Sequence, residues 1–494
     1  YRPGQSIQAR IIVSKVRQSL YLILWMILVA LLPVTSMPFI VRLVKSSTVA
    51  APAGLALLII LILCYIPALI RGITLPRSSY PLLIFAVYAV VVTLISNFRD
   101  IPSFKGFQPL RSQFEALLTL AIGLAFFLVP AHYLRNKTWM QITLRIINWS
   151  GLLLILWCGV QAFFWYSQQG YPQWLRTIQE IFSVGPLYRQ RVTGFTLEPS
   201  WLAHQLNMLY LPVWFAASAV GYTSHRYLLK KVSFENLLLI GGAVTLFLTL
   251  SRVGLIAFLL MLAYLAVRFG ISLNQLLRHK IASHWQAFDR LNNQNPHLAA
   301  AVLFSGMVIA GLALLILLFI LISRFDPRMQ EMFNFNLASE NPLLDYANSL
   351  TFSSRLVYWQ AGWAIFNDNP WFGVGLGNAG FYMPQVLSGF ADRLVEVQAL
   401  LFHSHTLLNI KSLWVRLLAE TGIIGFSIFT AWLISLWSTT RWLVRSSSKI
   451  TSMLGLFGVF LLLGILVEGF SIDSFALPYI WFSFGLLTAG LGES

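Results

Sequence analysis

Stretches of about 20 apolar residues recur along almost the whole of this 494-residue chain. An α-helix of that length spans the apolar part of a lipid bilayer. Charged residues make up only 10% of the sequence, whereas a soluble globular domain has roughly 25%. The sequence therefore predicts an all-α, polytopic bundle of transmembrane helices, and it excludes a single soluble core or a single anchored domain.

The apolar stretches predict about twelve transmembrane helices. They span 20–41, 51–70, 80–96, 114–131, 146–165, 200–220, 235–250, 253–268, 299–323, 417–437, 450–467 and 474–491. We predict that the long stretch from 235 to 268 is broken at Ser251 and Arg252. The predicted parts are a cytoplasmic or interfacial segment (1–19), a bundle of about nine spans (20–323), an extracytoplasmic, periplasmic loop domain (324–413) and a bundle of about three spans (414–494).

Basic residues are distributed unevenly between the two sides of this predicted bundle. The sequence has 34 Lys and Arg residues against 17 Asp and Glu residues, a net charge of +17. With both termini in the cytoplasm, 19 of the basic residues and only 3 of the acidic ones lie on the cytoplasmic side. Lysine and arginine resist translocation, which favours this orientation. The excess charge therefore indicates contact with anionic membrane lipids and not with nucleic acid.

Three smaller features narrow the class of membrane protein. Cys64 and Cys158 both lie in apolar stretches, which offers neither a disulfide framework nor a cysteine metal site. The basic segment 7–18 fits an interfacial helix or a solvated tail. No short apolar segment with a small-residue cleavage site precedes the first long stretch, so no secretory signal is expected.

Four arginines lie at the edges of apolar stretches on the predicted outer side. Arg189 and Arg191 precede the sixth span, Arg252 separates two strongly apolar stretches, and Arg355 lies in the large outer loop. A guanidinium group stays charged, and one such group can bind two phosphate oxygens at once. These residues are therefore candidate ligands of a lipid diphosphate. The alternative is that each side chain extends to the membrane surface and contacts lipid headgroups.

Arg355 stands near the start of a predicted amphipathic helix in the outer loop. Its apolar face, which we expect against the bilayer or the bundle, carries Leu356, Trp359, Trp363 and Phe366. Some aromatic residues of this loop are candidates for stacking on sugar rings, although Trp and Tyr also collect at membrane interfaces. They are Trp359, Trp363, Trp371, Phe381 and Tyr382.

Candidates for a general base lie in the same outer segments. Glu198 precedes Pro199 at the mouth of the sixth span, where a carboxylate also stabilises the start of a helix. His403 and His405 are alternatives in the outer loop. Their i, i+2 spacing separates the two rings on a helix or a strand, and no Cys, Asp or Glu cluster completes a metal site. The sequence therefore predicts no bound metal.

Three glycines of the outer loop, Gly375, Gly377 and Gly380, match the pattern G-x-G-x-x-G. The pattern binds nucleotides only where it joins a strand to a helix, and no strand is predicted here. We therefore predict a turn-rich segment and no nucleotide site.

Four segments of the chain resemble the O-antigen polymerase and O-antigen ligase superfamily of bacterial membrane glycosyltransferases. They are RVTGFTLEPSWLA (191–203), LTLSRVGLIAF (248–258), SSRLVYWQAGWAIFNDNPWFGVGLGN (353–378) and KSLWVRLLAETGIIGF (411–426). The resemblance lies in the order and spacing of these segments and not in any one of them.

The resemblance implies a GT-C-like enzyme of the bacterial cytoplasmic (inner) membrane, with its active site on the outer, periplasmic face. Such an enzyme transfers a glycan from a polyprenyl-diphosphate donor, such as undecaprenyl diphosphate, and uses no metal or other cofactor. By matching motifs, the diphosphate is held by Arg191, Arg252 and Arg355, with Arg189 as a weaker addition. The implied partners are the lipid-linked oligosaccharide, an acceptor glycan, membrane lipids and, as a further option, a chain-length regulator protein.

One position departs from the family pattern. Members commonly have a histidine nine residues before the glutamate of an A-E-x-G stretch; that glutamate is Glu420 here, and Lys411 stands in the place of the histidine. A lysine with its ordinary pKa of about 10.4 is protonated and is a poor base. Lys411 is therefore expected to bind the diphosphate, and the base role falls to Glu198 or to the His403/His405 pair. Arg416 and Glu420, four residues apart, are expected to pair structurally.

Three functions stay open at this point. The favoured one is an inverting, metal-independent polymerase that joins polysaccharide repeat units on the outer face. A ligase would transfer the glycan to a lipid A core or another non-polyprenyl acceptor instead. A polysaccharide lipid transporter or flippase is less favoured, because the two halves of the chain show no corresponding pair of Gly/Pro-broken helices.

Overall fold

The computed structural model describes residues 19–44, 50–228, 232–282 and 353–493 apart from 388, 390, 392 and 393, with scattered positions between 294 and 342. The described ranges are helices and loops, without a strand. The basic segment 7–18, most of the ninth predicted span and the first part of the predicted loop domain lie outside them.

Sixteen helices of the described ranges are labelled in chain order. The first eight are α1 (Ser19–Ala30), α2 (Pro38–Val44), α3 (Ala53–Ile70), α4 (Arg77–Ser96), α5 (Pro109–Tyr133), α6 (Lys137–Gln168), α7 (Gln173–Phe182) and α8 (199–220). The others are α9 (Phe234–Leu248), α10 (Arg252–Ala282), α11 (Ser353–Asp368), α12 (Ala379–Val386), α13 (395–403), α14 (Leu413–Val444), α15 (Lys449–Glu468) and α16 (Pro478–Ala489). Helices α3, α8 and α13 each contain one π-helical turn.

Seven of these helices are long and apolar enough to cross a membrane, judged by length and composition. They are α3, α4, α5, α6, the first part of α10, α14 and α15. Each coincides with a predicted span, and α1, α8, α9 and α16 lie on four further ones without being among the seven. The all-helical membrane architecture is therefore confirmed, and the number of twelve spans stays a prediction.

The boundaries of several predicted spans differ from the structure, and prolines account for two of these differences. The stretch 20–41 is not one helix, since α1 ends at Ala30 and α2 begins at Pro38. Pro33 lies between them, and a proline cannot donate the backbone hydrogen bond that a helix interior needs. The last span, predicted from 474, begins as a helix only at Pro478, because proline favours the first turn.

The helices of residues 1–255 and 357–494 form one compact unit, and residues 256–356 form a second. In the first unit, α5 packs against α16, and α14 packs against both α4 and α15. Trp432 of α14 lies at the centre of an aromatic cluster with Phe127, Phe429, Trp481 and Phe484. Helix α15 is buried almost all round, as its uniformly apolar sequence requires.

Helix α11 has a buried face and a partly exposed one. Its buried residues include Tyr358, Ala361 and Ile365, which belong to an apolar cluster with residues of α12 and the loops beside it. In the predicted face, Leu356 and Trp363 are 43% and 51% exposed. The predicted face is therefore divided: Trp359 packs against the apolar cluster and against Phe470, whereas Leu356 and Trp363 are exposed.

Helix α14 contains one residue with a conformation outside the helical range. Gly422 has φ 64° and ψ −174°, and an added Cβ there would lie 2.3 Å from the carbonyl oxygen of Trp371. Only glycine fits both the left-handed φ and the close backbone contact. The bend turns the first part of α14 toward the loop between α11 and α12.

We expect Gly422→Ala to destabilise the protein by about 1–3 kcal/mol, because strain and overpacking act together there. The change is checked by the thermal unfolding temperature of the purified protein in detergent. Gly159→Ala is the matched control, since Gly159 lies in α6 with no atom within 4 Å of the added Cβ. Equal unfolding temperatures for the two variants would contradict the strain at Gly422.

Candidate functional site

The predicted break in the long apolar stretch is confirmed, and it separates α9 from α10. Helix α9 ends at Leu248 and α10 begins at Arg252. Leu250 between them has a left-handed φ of 49°. The Thr249 hydroxyl donates to the carbonyl of Leu246 (2.6 Å) and accepts from the amide of Ser251 (3.2 Å). Such short polar side chains compete with the helical hydrogen bonds, which explains the break at this position.

The loop between α7 and α8 lies against this break. The Val192 amide donates to the Leu248 carbonyl (3.1 Å), and Nε of Arg191 donates to the Thr249 carbonyl (2.8 Å). Arg191 is thus bonded to the backbone three residues before Arg252. The first amides of α10 have no partner within their own helix and favour negative charge. Arg191 is therefore held close to the start of the helix that begins with Arg252.

Glu198 stands at the start of α8, at the end of the loop that carries Arg191. Its backbone carbonyl accepts from the amides of Trp201 and Leu202, at 3.1 and 3.2 Å, and its carboxylate accepts from the Ser200 hydroxyl. Burial and the Glu198 carboxylate raise the pKa of Tyr188, and Arg191 partly offsets this. Glu198 and Arg191 therefore both lie within electrostatic range of Tyr188.

A buried glutamine that sequence reasoning missed holds the loop of Arg191 in place. Oε1 of Gln161, in α6, accepts from the amides of Thr193 and Gly194 at 3.0 and 3.1 Å. Nε2 of Gln161 donates to the Gly194 carbonyl (3.2 Å) and to Gln179 of α7 (3.0 Å). Gln179 also accepts from Trp157 at 3.0 Å. The sequence did contain a clue to this role, because Gln161 is a polar residue inside an otherwise apolar predicted span.

Below Glu198, helix α8 carries a second set of buried polar residues. Nδ2 of Asn207 donates to the Gly254 carbonyl (2.8 Å) in the first turn of α10 and to Glu468 (2.7 Å) at the end of α15. His204 is hydrogen-bonded to the Tyr479 hydroxyl (3.0 Å). Asn207 lies in the π-helical turn of α8, and such turns are frequent at functional sites. These residues fix the start of α10 against α8 and α15.

Lys411 has partners that the sequence did not indicate. Its ammonium group pairs with Glu396 of α13 and lies 4.8 Å from the ring centre of Tyr358. Its amide donates to Asp473 at 3.1 Å. Lys411 is therefore part of an ion pair that joins α13 to the start of α14, and its role as a diphosphate ligand stays a prediction.

The other predicted site residues lie in segments of the chain other than the break between α9 and α10. His403 and His405 are exposed, at the end of α13 and just after it. Arg189 is exposed at the edge of a cavity beside α7. Arg355 lies in the first turn of α11, in the other compact unit. Among the aromatic residues predicted to stack on sugars, Phe381 is fully buried, whereas Trp363 and Trp371 are exposed.

Two structural predictions near α14 are confirmed. Arg416 and Glu420 form a largely buried ion pair, with 2.8 Å between Nε and Oε2. The glycine segment is a turn, since Gly375 and Gly377 have φ of 89° and 82°. The Gly375 amide donates to the backbone carbonyl of Glu420 at 2.9 Å, so the segment is fastened to the kink of α14.

Within the part of the chain that the structure describes, no group of three or more His, Cys, Asp or Glu side chains is arranged to hold a metal ion. Arg191 is bonded at the break between α9 and α10, and the Glu468 carboxylate is linked to the first turn of α10 through Asn207. A guanidinium group at this position is suited to an anionic group.

Comparison with known proteins bears on the segment that contains this break. Residues 237–430 match the sequence model of the O-antigen ligase family. The resemblance to the O-antigen polymerase and ligase superfamily is confirmed. The match covers Arg252, Arg355 and Lys411, and it indicates a glycosyltransferase-like membrane enzyme of the O-antigen ligase or polymerase type. No curated protein matches the chain.

We expect Gln161→Leu to loosen the loop that carries Arg191, because the amides of Thr193 and Gly194 lose their acceptor. An unpaired buried amide costs about 1–3 kcal/mol, so tryptic cleavage after Arg189 or Arg191 should quicken by about tenfold or more. Gln168→Leu, at the exposed end of the same helix, is the control and should leave cleavage unchanged. If trypsin cleaves both variants as slowly as it cleaves the unsubstituted protein, Gln161 does not hold the loop.

Proposed function

We propose that this protein polymerises polysaccharide repeat units, transferring a glycan from a polyprenyl-diphosphate donor to a sugar hydroxyl on the outer face of a bacterial cytoplasmic membrane. The observation that carries the proposal is the bond of Arg191 to the break before Arg252, because it brings the Arg191 guanidinium to the start of a helix whose first residue is an arginine. Membrane lipids and a chain-length regulator protein are further partners in this proposal.

The arginines act on the leaving group. As the bond between the anomeric carbon and the diphosphate breaks, negative charge grows on the diphosphate oxygen. Guanidinium groups and helix amides that already point at that position stabilise the transition state without reorganising. Arg191 and Arg252 form the centre of this site in our proposal, and Arg189 and Arg355 are outer ligands. Lys411 is a further ligand in this proposal, and its ammonium group is paired with Glu396.

Glu198 is the base in this proposal. Glu198 and Arg191 both act on the pKa of Tyr188, which supports a position of Glu198 near the arginine site. His403 and His405, in contrast, are exposed near the end of α13. In the proposed step the Glu198 carboxylate takes the proton of the acceptor hydroxyl. The hydroxyl oxygen attacks the anomeric carbon, and the diphosphate leaves with the bonding electrons. A single displacement of this kind inverts the anomeric centre.

A ligase is the second candidate, because the matching family model is described as O-antigen ligase. The two candidates share the donor site and differ only in the acceptor, a lipid-linked glycan for the polymerase and a lipid A core or similar molecule for the ligase. The transporter alternative gains nothing from the match to an enzyme family.

We expect Arg252→Ala to lower transfer at least a hundredfold, the loss typical of removing one group that stabilises transition-state charge. The purified protein is incubated with a polyprenyl-diphosphate-linked repeat unit and excess EDTA, and the products are separated by size. The control is Arg226→Ala, an exposed arginine on the predicted cytoplasmic side.

A ladder of repeat multiples that is lost only in Arg252→Ala supports the polymerase. Transfer that requires a second, non-polyprenyl acceptor supports the ligase. An undiminished ladder in the Arg252 variant would refute the diphosphate site, and movement of the lipid-linked glycan across proteoliposome membranes without a covalent product would support the transporter.

Glu198→Gln should lower kcat by about a hundredfold or more while KM changes little, because the amide keeps the polar contact with Ser200 but accepts no proton. The double variant His403→Ala/His405→Ala should stay close to the unsubstituted enzyme. Both are measured with the same ladder assay under initial-rate conditions. The reverse pattern would assign the base to the histidines.

A further inference from the structure

A cavity of about 380 Å³ lies beside the loop of Arg191, between the end of α6, helix α7 and residues 185–189. Its volume falls in the range of roughly 300–1,000 Å³ that is usual for small-molecule sites. Two aromatic rings line it together with amide, guanidinium and carboxylate side chains. They include Trp165, Gln169, Tyr171, Arg176, Glu180 and Arg189.

The aromatic part of the wall is formed by Trp165 and Tyr171, whose ring centroids are 5.7 Å apart at an angle of 41°. The Tyr171 hydroxyl donates to the Tyr188 carbonyl at 2.7 Å, which fixes the ring in place. Both rings are only half-buried. Each can therefore present an apolar face to the C–H face of a sugar ring while the rim of the cavity stays polar.

The polar part of the wall comes from two elements. Arg176 and Glu180 follow each other by one turn on α7, and Arg189 lies in the loop. All three are exposed, and none of these side chains has an ion-pair or hydrogen-bond partner in the described part of the chain. Guanidinium groups donate and a carboxylate accepts hydrogen bonds, which is the mixture that neighbouring sugar hydroxyls require.

One residue joins this cavity to the site proposed for the diphosphate. The carbonyl of Tyr188 holds Tyr171 in the cavity wall, and the phenol of Tyr188 interacts electrostatically with Glu198 and Arg191. The cavity and the arginine site are therefore built on the same short loop.

We infer that this cavity binds a saccharide unit of the glycan, by stacking on Trp165 and Tyr171 and hydrogen bonding to Arg176, Glu180 and Arg189. The inference rests on the proposed function, since it supplies a sugar subsite beside the diphosphate site. A lipid chain would not match this lining, because the cavity carries two guanidinium groups, a carboxylate and amides.

The test measures binding of the free repeat-unit oligosaccharide, carrying neither lipid nor phosphate, to the purified full-length protein by isothermal titration calorimetry. Trp165→Ala and Arg176→Ala should each weaken binding by about tenfold, the loss expected for one stacking or charged hydrogen-bond contact. Trp174→Ala is the matched control, since Trp174 is exposed on α7, contacts Phe164 and does not line the cavity. It should leave the affinity unchanged.

A second titration, with polyprenyl diphosphate that carries no sugar, separates this inference from the proposed function. Its affinity should be the same in Trp165→Ala, Arg176→Ala and the unsubstituted protein. Sugar binding that depends on Trp165 and Arg176 supports the subsite even where no ladder forms. Undiminished sugar binding in both variants, or no sugar binding by the unsubstituted protein, overturns the inference even where a ladder forms.

The same titration identifies which glycan occupies the cavity. It is repeated with the lipid-linked donor present at saturation. If the donor displaces the free oligosaccharide, the cavity holds the sugar next to the diphosphate. If the oligosaccharide binds with undiminished affinity, the cavity holds the acceptor glycan. Both results support a saccharide subsite.

Discussion

The break between α9 and α10 is the constraint on which the arrangement of the site depends. Within a membrane, the backbone groups released by a broken helix have to find partners in the protein itself. Thr249 and Ser251 supply some of these locally, Arg191 supplies another at the Thr249 carbonyl, and Asn207 reaches the Gly254 carbonyl from α8. The contacts that satisfy the break are thus the same contacts that bring charged and polar side chains to it.

Buried amide side chains support this arrangement from outside the break. Gln161 fixes the Thr193–Gly194 backbone, and Asn207 links α10 to Glu468. Each makes several hydrogen bonds, as a polar group buried among apolar helices requires. An amide is well suited to this role because it carries donors and an acceptor without a charge, so it orders the loop and leaves the local electrostatics to the arginines and Glu198.

Local features of the site and fold could be predicted from the sequence, and distant pairings could not. The break at Ser251, the Arg416–Glu420 pair and the glycine turn all depend on residues within a few positions of one another. Lys411 pairs with a residue 15 positions away, and Asn207 pairs with one 261 positions away. No spacing rule connects such residues. For α11 the sequence also left contact with lipid and contact with the bundle open, because lipid and protein interior are equally apolar and hydrophobicity does not distinguish them.

The ion pair of Lys411 affects the charge balance that a diphosphate would meet. Paired with Glu396, Lys411 adds no net charge to its surroundings, and the pair also lies partly in solvent, where its strength is modest. Arg191 is held at the break by the Thr249 carbonyl, on the loop that leads to Glu198 at the start of α8. In the proposed mechanism, the lysine that stands in place of the family's histidine therefore leaves the base role to Glu198, at the start of α8.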